Sequence, residues 1–169
     1  MQVSKRLFEL ETESAFEILT KANKLISQGR DIINLGIGQP DFPTPANILE
    51  AAHKAIVDGH HGYTPSNGIL PLREAVSEHI FRKYQTNINP ENILITPGGK
   101  PVIFFSSLIF GEPGVEIIYP DPGFPIYRSM IKYSGATPIP LTLNEKDNFE
   151  INLEKLEELI NNKTRLIII

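Results

Sequence analysis

From residue 92 to the end of the chain, short β-branched runs alternate with helical segments. The predicted strands and extended segments are "NILIT" (92–96), "VEIIYP" (115–120), "TPIPLTL" (137–143) and "RLIII" (165–169). The helical segments between them are "GKPVIFFSSLIF" (99–110), "FPIYRSMIKYSG" (124–135) and "NLEKLEELINN" (152–162). Such alternation predicts an α/β fold with a parallel or mixed sheet covered by helices on both faces.

The same segments carry expectations about burial. The helix from Lys100 to Phe110 is apolar nearly all round, so we expect it to be buried on more than one side. The helical segment at residues 152–162 should turn Leu153, Leu156 and Ile160 inward. "RLIII" is typical of a strand buried on both faces with a connection following it. We therefore expect this chain to be an N-terminal fragment of a longer protein.

Earlier in the chain, three helices are predicted. "ESAFEILTKANKLISQG" (13–29) is amphipathic and closed by Gly29. A second helix has Thr44 as N-cap, Pro45 at its first position and Gly59 at its end. Pro71 starts the third. Their predicted buried positions are Ile48, Ala52, Ala55 and Ile56 in the second helix, and Leu72, Val76 and Ile80 in the third.

Composition excludes several classes of function. The net charge of the 169 residues is −4 and no basic block occurs, which argues against binding nucleic acid. The chain has no cysteine, no apolar run of membrane-spanning length and no signal-peptide pattern, so we expect a cytoplasmic protein without a membrane segment. His60 and His61 are adjacent and lack a third ligand at helical spacing, so no metal site is predicted.

Two turns lie where the carboxyl ends of strands meet helix starts, which is where open α/β sheets bind ligands. "TPGGK" (96–100) offers backbone N–H groups and a helix N-terminus that suit an anion. It has neither P-loop nor G-x-G-x-x-G spacing, so a plain turn and an anion site remain equally good interpretations. "YPDPGFPIY" (119–127) holds Phe124 near a helix start, either as a core plug or as a flat surface for a planar ring.

A third motif, "NLGIGQPDFPTP" (34–45), places Gly36 and Gly38 where their N–H groups could meet a carboxylate, although an ordinary turn explains them as well. In order and spacing, these motifs together with "GYTPSNGILPLREAV" (62–76) and the closing "RLIII" resemble class I/II aminotransferases, the fold-type I enzymes that use pyridoxal phosphate. The resemblance implies that residues 1–43 form an N-terminal helix and arm. Residues 44–169 would form the N-terminal part of the large cofactor-binding domain, with an incomplete sheet.

The resemblance also implies roles for five residues. Gly99 and Lys100 match the turn whose backbone N–H groups hold the cofactor phosphate, and Phe124 matches the aromatic residue that stacks on the pyridine ring. Gly38 matches the glycine that contacts the substrate α-carboxylate. Tyr63 matches the tyrosine that reaches the phosphate in the partner subunit of a homodimer. Pro101 departs from many relatives, since it removes one potential N–H donor.

No catalytic residue is assigned within the chain, because the family's Schiff-base lysine has no match in these 169 residues and Lys100 matches the phosphate turn. The resemblance implies amino-group exchange between an amino acid and a 2-oxo acid, of the aspartate type by default. We expect this polypeptide alone to be inactive. The alternatives are a non-catalytic relative, such as a ligand-sensing domain or a dead truncation product, and a C–S lyase or cyclopropane-forming synthase that uses pyridoxal phosphate.

Overall fold

The computed structural model describes residues 2–10 and 14–169. This part contains six α-helices, three β-strands and three short 3-10 helices. The α-helices are α1 (Ser14–Ser27), α2 (Ala46–Val57), α3 (Leu70–Tyr84), α4 (Lys100–Phe110), α5 (Ile126–Ser134) and α6 (Leu153–Leu159). The strands are β1 (Glu116–Asp121), β2 (Thr137–Thr142) and β3 (Thr164–Ile167). The 3-10 helices span Lys5–Glu9, Pro90–Asn92 and Glu145–Asp147. Glu13, the predicted first residue of the first helix, lies outside the described residues.

The chain divides into two compact units, residues 37–97 and the remainder. The larger unit contains a parallel sheet in the order β2-β1-β3. Ile118 of β1 lies opposite Ile139 of β2, and Ile117 lies opposite Leu166 of β3. Because β1 is followed by α5 and then by β2, the predicted α/β class with parallel strands is confirmed.

The core of this unit is built on the central strand. Ile117 and Ile118 are fully buried, as expected for a strand paired on both edges. Ile117 and Tyr119 pack in one cluster with Ile131 of α5, and with Leu166 at its margin. The central strand therefore fixes α5, and with it the turn that joins them.

Burial differs from expectation at the margins of the sheet. In α4 only Ser107 is buried, and Ile109 is 73% exposed, so the prediction of a helix buried on several sides is wrong for this chain. β3 alternates half-buried and exposed residues, because it lies at the edge of the sheet and pairs only with β1 among the described residues. Leu153 of α6 is 68% exposed, which contradicts its predicted inward orientation.

The smaller unit consists of α2, α3 and the 3-10 helix at residues 90–92. The Ser77 hydroxyl donates to the Ile88 carbonyl at 2.5 Å, which holds the chain after α3 against that helix. The predicted strand at 92–96 is wrong: within the described residues these backbones are not paired in a sheet, and the Ile95 N–H donates to the Asn67 carbonyl instead. A strand needs a neighbour in register, which local sequence does not supply.

The helix ends follow the sequence more closely than the helix faces. Gly29 and Gly59 have φ of +80° and +85°, and each follows its helix in a Schellman arrangement, as predicted. The N-cap prediction for Thr44 is wrong, because Pro45 occupies that position and its carbonyl accepts from the Ile48 N–H. The predicted buried stripe of α2 is also wrong, since none of its residues is buried.

Among the described residues, no helix combines the length and apolarity needed to cross a membrane.

Candidate functional site

The turn that starts α4 leaves open space above its backbone. Gly98 has φ +90°, a conformation that glycine adopts without strain, and Gly99 is the N-cap of the helix. A Cβ placed on Gly98 or Gly99 would meet no described atom within 4 Å, adjacent residues aside. The first turn of an α-helix directs its N–H groups outward along the axis, and the helix dipole adds partial positive charge there. This backbone can therefore receive an anion at close range.

Pro101 does not disturb this helix start. The Val102 and Ile103 N–H groups both donate to the Gly99 carbonyl, at 3.1 and 3.3 Å. Proline in the first helical turn removes an N–H that has no intrahelical acceptor in any case. The helix begins normally, with one potential donor to a ligand fewer.

The second turn joins β1 to α5 through residues 121–125. The Asp121–Pro122 peptide is cis, and a Cβ on Gly123 would overlap the Pro120 carbonyl oxygen. Phe124 follows, and its carbonyl accepts from the Tyr127 N–H at 3.0 Å. The rings of Phe124 and Tyr127 meet edge to face, with centroids 5.9 Å apart. This hydrogen bond and the ring contact together orient Phe124 at the end of the central strand.

Three of the five predicted site residues meet here. The Lys100 ammonium lies 5.6 Å from the centroid of the Phe124 ring, so the start of α4 and the aromatic turn are adjacent. The same ammonium lies 5.6 Å from the ring of Phe16 in α1. A cavity of about 180 Å³ lies beside Phe124, and Arg128 contributes to its wall. Glycine backbone, an aromatic ring and two cationic side chains thus share the end of β1.

Sequence reasoning missed Phe16 and Arg128. Arg128 follows Phe124 by four residues within the predicted helical segment, so this spacing could have predicted that Arg128 lies close to Phe124. Phe16 is separated from Lys100 by more than eighty residues, and no local signal pairs them.

The other two predicted site residues, Gly38 and Tyr63, belong to the smaller unit. Gly38 is exposed and lies in a tight turn, because the Gln39 N–H donates to the Ile37 carbonyl at 3.0 Å. Tyr63 is fully exposed, in the loop at residues 58–69 that connects α2 to α3. Within the described residues its hydroxyl makes no hydrogen bond, so the side chain extends into solvent from this chain.

The loop that carries Tyr63 is attached to a buried arginine that sequence reasoning also missed. Arg73 of α3 is only 6% exposed and donates to the Gly68 carbonyl from Nε at 3.1 Å. Arg73 precedes Val76 by three residues and Ile80 by seven, so the three side chains share one helix face. A charged residue on the face predicted to be buried is the sequence feature that could have identified Arg73.

Over residues 2–10 and 14–169, no three His, Cys, Asp or Glu side chains group so as to hold a metal ion.

Comparison with known proteins decides the family. A family model described as aminotransferase class I and II matches residues 30–169. The chain belongs to the class I and II aminotransferase family.

Individual aminotransferases show how far the likeness extends. An aspartate aminotransferase of Sulfurisphaera tokodaii is 41% identical over 145 residues, which cover 85% of this chain and 36% of that protein. A (5-formylfuran-3-yl)methyl phosphate transaminase of Methanocaldococcus jannaschii is 38% identical, over 99% of this chain and 43% of that protein. The structure of the Thermus thermophilus aspartate aminotransferase with maleate superposes with a TM-score of 0.93 at 29% identity. It covers 100% of this chain and 44% of the other. The chain thus spans less than half the length of these relatives.

Class I and II aminotransferases depend on pyridoxal phosphate, and the site at the end of β1 fits that cofactor. The cofactor carries a phosphate and a flat ring. The open glycine backbone at the start of α4, followed directly by Lys100, suits the phosphate. Arg128 lines the cavity beside Phe124 and adds a second cationic side chain there. The Phe124 ring, held by its contact with Tyr127, offers a flat apolar surface for the ring.

Proposed function

We propose that the protein is a pyridoxal-phosphate-dependent aminotransferase that exchanges an amino group between an amino acid and a 2-oxo acid. The observation that supports this most directly is the contact between the α4 start and the aromatic turn, where Lys100 lies over Phe124. That contact joins an anion-binding backbone to a flat ring, which is the pair of features that the cofactor requires. Because the chain spans less than half of its relatives, the activity is a property proposed for the whole protein.

Four residues of the chain bind the cofactor or the substrate in this proposal. The backbone N–H groups of Gly99 and Lys100 bind the cofactor phosphate, and the ring of Phe124 packs against the cofactor ring. The Gly38 N–H binds the substrate α-carboxylate, for which its exposed turn leaves room. When bound, the cofactor would supply an aldehyde carbon that carries the amino group between the two substrates, and an electron-withdrawing ring that acts as an electron sink.

Aspartate is the proposed amino donor. The Sulfurisphaera tokodaii and Thermus thermophilus relatives are both named aspartate aminotransferases. A second substrate class has support from the Methanocaldococcus jannaschii relative, whose identity over this chain is nearly as high. The name of that relative specifies a phosphate-bearing aldehyde, which is an amino acceptor that transamination interconverts with the corresponding aminomethyl compound. Side-by-side assays with aspartate and with phosphorylated aminomethyl compounds separate the two.

The protein is further proposed to work as a homodimer in the cytoplasm. Tyr63 is fully exposed, and Ile48 and Ile56 of α2 are exposed by 53% and 64%, so this region has apolar surface for a second copy to cover. In the dimer, the Tyr63 hydroxyl would donate to the cofactor phosphate of the partner subunit. Light scattering of the purified protein tests the dimer, and cell fractionation tests the location.

Residues 1–169 by themselves are proposed to lack transaminase activity. Among the described residues, the edge strand β3 pairs only with β1, and α4 exposes apolar residues such as Ile109, so a strand edge and apolar surface remain uncovered. Turnover by a polypeptide of these 169 residues would refute this part of the proposal.

The deciding experiment uses protein produced from its complete coding sequence, stripped of cofactor and then titrated with pyridoxal phosphate. Visible absorbance should appear in a one-to-one titration and change on addition of one amino acid, with formation of the corresponding 2-oxo acid. A protein that binds the cofactor but transfers no amino group would instead support a non-catalytic role or a lyase reaction. A protein that binds no cofactor would contradict the whole proposal.

A further inference from the structure

The loop between α2 and α3 is held at both ends, and Tyr63 lies in the short span between the holding points. At its start, the His60 N–H donates to the Ala55 carbonyl at 2.9 Å and the His61 N–H donates to the Gly59 carbonyl at 2.9 Å. At its end, the Gly68 N–H donates to the Pro65 carbonyl at 3.0 Å. Only residues 62–64 remain between these bonds, so the position of residues 65–68 limits where Tyr63 can reach.

Arg73 fixes that second holding point to the rest of the unit. Its Nε donates to the Gly68 carbonyl at 3.1 Å, and its Nη1 donates to the Pro90 carbonyl at 2.8 Å. The same Nη1 lies 3.2 Å from a carboxylate oxygen of Glu91. One guanidinium thereby joins the Tyr63 loop to the 3-10 helix at residues 90–92.

The guanidinium is suited to this task by its shape and burial. It is planar and presents several donors in fixed directions, whereas a lysine ammonium is a single point of charge. At 6% exposure it has little water to replace its protein acceptors, so these bonds are maintained. Glycine also suits position 68, because the φ there is +95° and a Cβ would clash with the Ile95 side chain.

We propose that Arg73 is a positioning residue for cofactor binding, which holds the Tyr63 loop so that the Tyr63 hydroxyl meets the cofactor phosphate bound by the partner subunit. This inference rests on the proposed function, since it assigns Arg73 a task that is completed only through Tyr63. This positioning role differs from a general stabilising role, because loss of Arg73 should weaken contacts to the cofactor phosphate and to no other part of the cofactor.

The test is a double-mutant cycle on apo protein produced from the complete coding sequence, titrated with pyridoxal phosphate and separately with pyridoxal, which lacks the phosphate. Tyr63→Phe removes a hydrogen bond to a charged group and should raise the Kd for pyridoxal phosphate about tenfold. Arg73→Met should raise it about threefold or more, because the competent loop position is less populated. In the Tyr63→Phe background, Arg73→Met should add less than about a twofold change.

A matched control lies on the same helix. Arg82 has a 68% exposed side chain and a 3.8 Å pair with Glu78, so Arg82→Met removes the same charge without touching the loop. It should leave both titrations unchanged. Should Arg73→Met fail to fold, Arg73→Lys keeps the charge but not the fork of donors, and should raise the Kd for pyridoxal phosphate while leaving that for pyridoxal within about twofold.

The outcomes separate the two proposals. Wild-type protein that binds no pyridoxal phosphate would overturn the proposed function and this inference with it. Normal binding by wild type, weakened by Tyr63→Phe but unaffected by the Arg73 substitutions, would overturn only the inference. Equal losses for pyridoxal and pyridoxal phosphate, or equal losses with and without the Tyr63 hydroxyl, would show that Arg73 only stabilises the fold.

Discussion

The turn at the start of α4 and the turn before α5 both contain glycine, but the glycines have different surroundings. A Cβ on Gly99 would meet no described atom within 4 Å, whereas a Cβ on Gly123 would overlap the Pro120 carbonyl oxygen. The first glycine leaves room for something outside the chain, and the second allows the chain to fold back on itself. Glycine in a turn therefore has more than one physical cause, and substitution by alanine distinguishes them.

The largest effect on stability should come from Gly123→Ala. The new methyl group must displace backbone, so we expect a loss of about 1–3 kcal/mol in the free energy of unfolding. Chemical denaturation of the protein from its complete coding sequence measures this loss. A loss below about 0.5 kcal/mol would mean that the turn shifts easily and does not fix Phe124.

Gly98→Ala should have the next largest effect. Its φ of +90° is unfavourable for alanine, which should cost about 1–2 kcal/mol. Gly114 is a matched control, because its φ is +91° and a Cβ there also meets no described atom within 4 Å. Both variants should lose similar stability, and only Gly98→Ala should weaken the binding of pyridoxal phosphate. Equal weakening in both would remove the α4 turn from the proposed site.

Phe124→Leu should act mainly on cofactor binding. Loss of the flat ring should weaken binding of pyridoxal phosphate by about 0.5–1.5 kcal/mol, the range for an aromatic pair. Phe105→Leu is the control, since Phe105 is also partly exposed and also meets a neighbouring ring, Phe104, edge to face. Titration of the two apo variants gives the comparison. Identical affinities would contradict the stacking role of Phe124.

Gly99→Ala should change stability least, by no more than about 0.5 kcal/mol. Its φ of −83° suits alanine, and the gain from a stiffer unfolded chain offsets the weaker N-cap. A methyl group in the open space should nevertheless weaken cofactor binding. If denaturation and titration both match the wild type, the space above Gly99 is not where the phosphate binds.

Sequence signals were accurate where the cause is local. The glycines at positions 29 and 59 end their helices with positive φ, because the αL conformation is a property of one residue and its two neighbours. β1 follows from a β-branched run of ordinary strand length. The run at 92–96 is also rich in β-branched residues but pairs with no strand in the described part of the chain, because pairing depends on residues remote in sequence.

The faces of helices were harder to predict than their ends. The apolar pattern of α2 predicts one buried stripe, yet the structure buries none of it, because periodicity states which side is apolar and not whether anything covers it. In α3 the disagreement is the opposite one, because the charged residue Arg73 is buried. The pattern defines the face, but only the carbonyls of Gly68 and Pro90 explain a guanidinium there.

By itself, the sequence determined the α/β class, the glycine turns at positions 98–99 and 123, and, through the order of its motifs, the family. Only the tertiary structure placed the Lys100 ammonium over the Phe124 ring and the Arg73 guanidinium between the Tyr63 loop and the helix at residues 90–92. The physical reason is the range of the interactions. Turn conformation and helix ends depend on a few neighbouring residues, whereas these contacts exist only after the chain has folded and brought distant segments together.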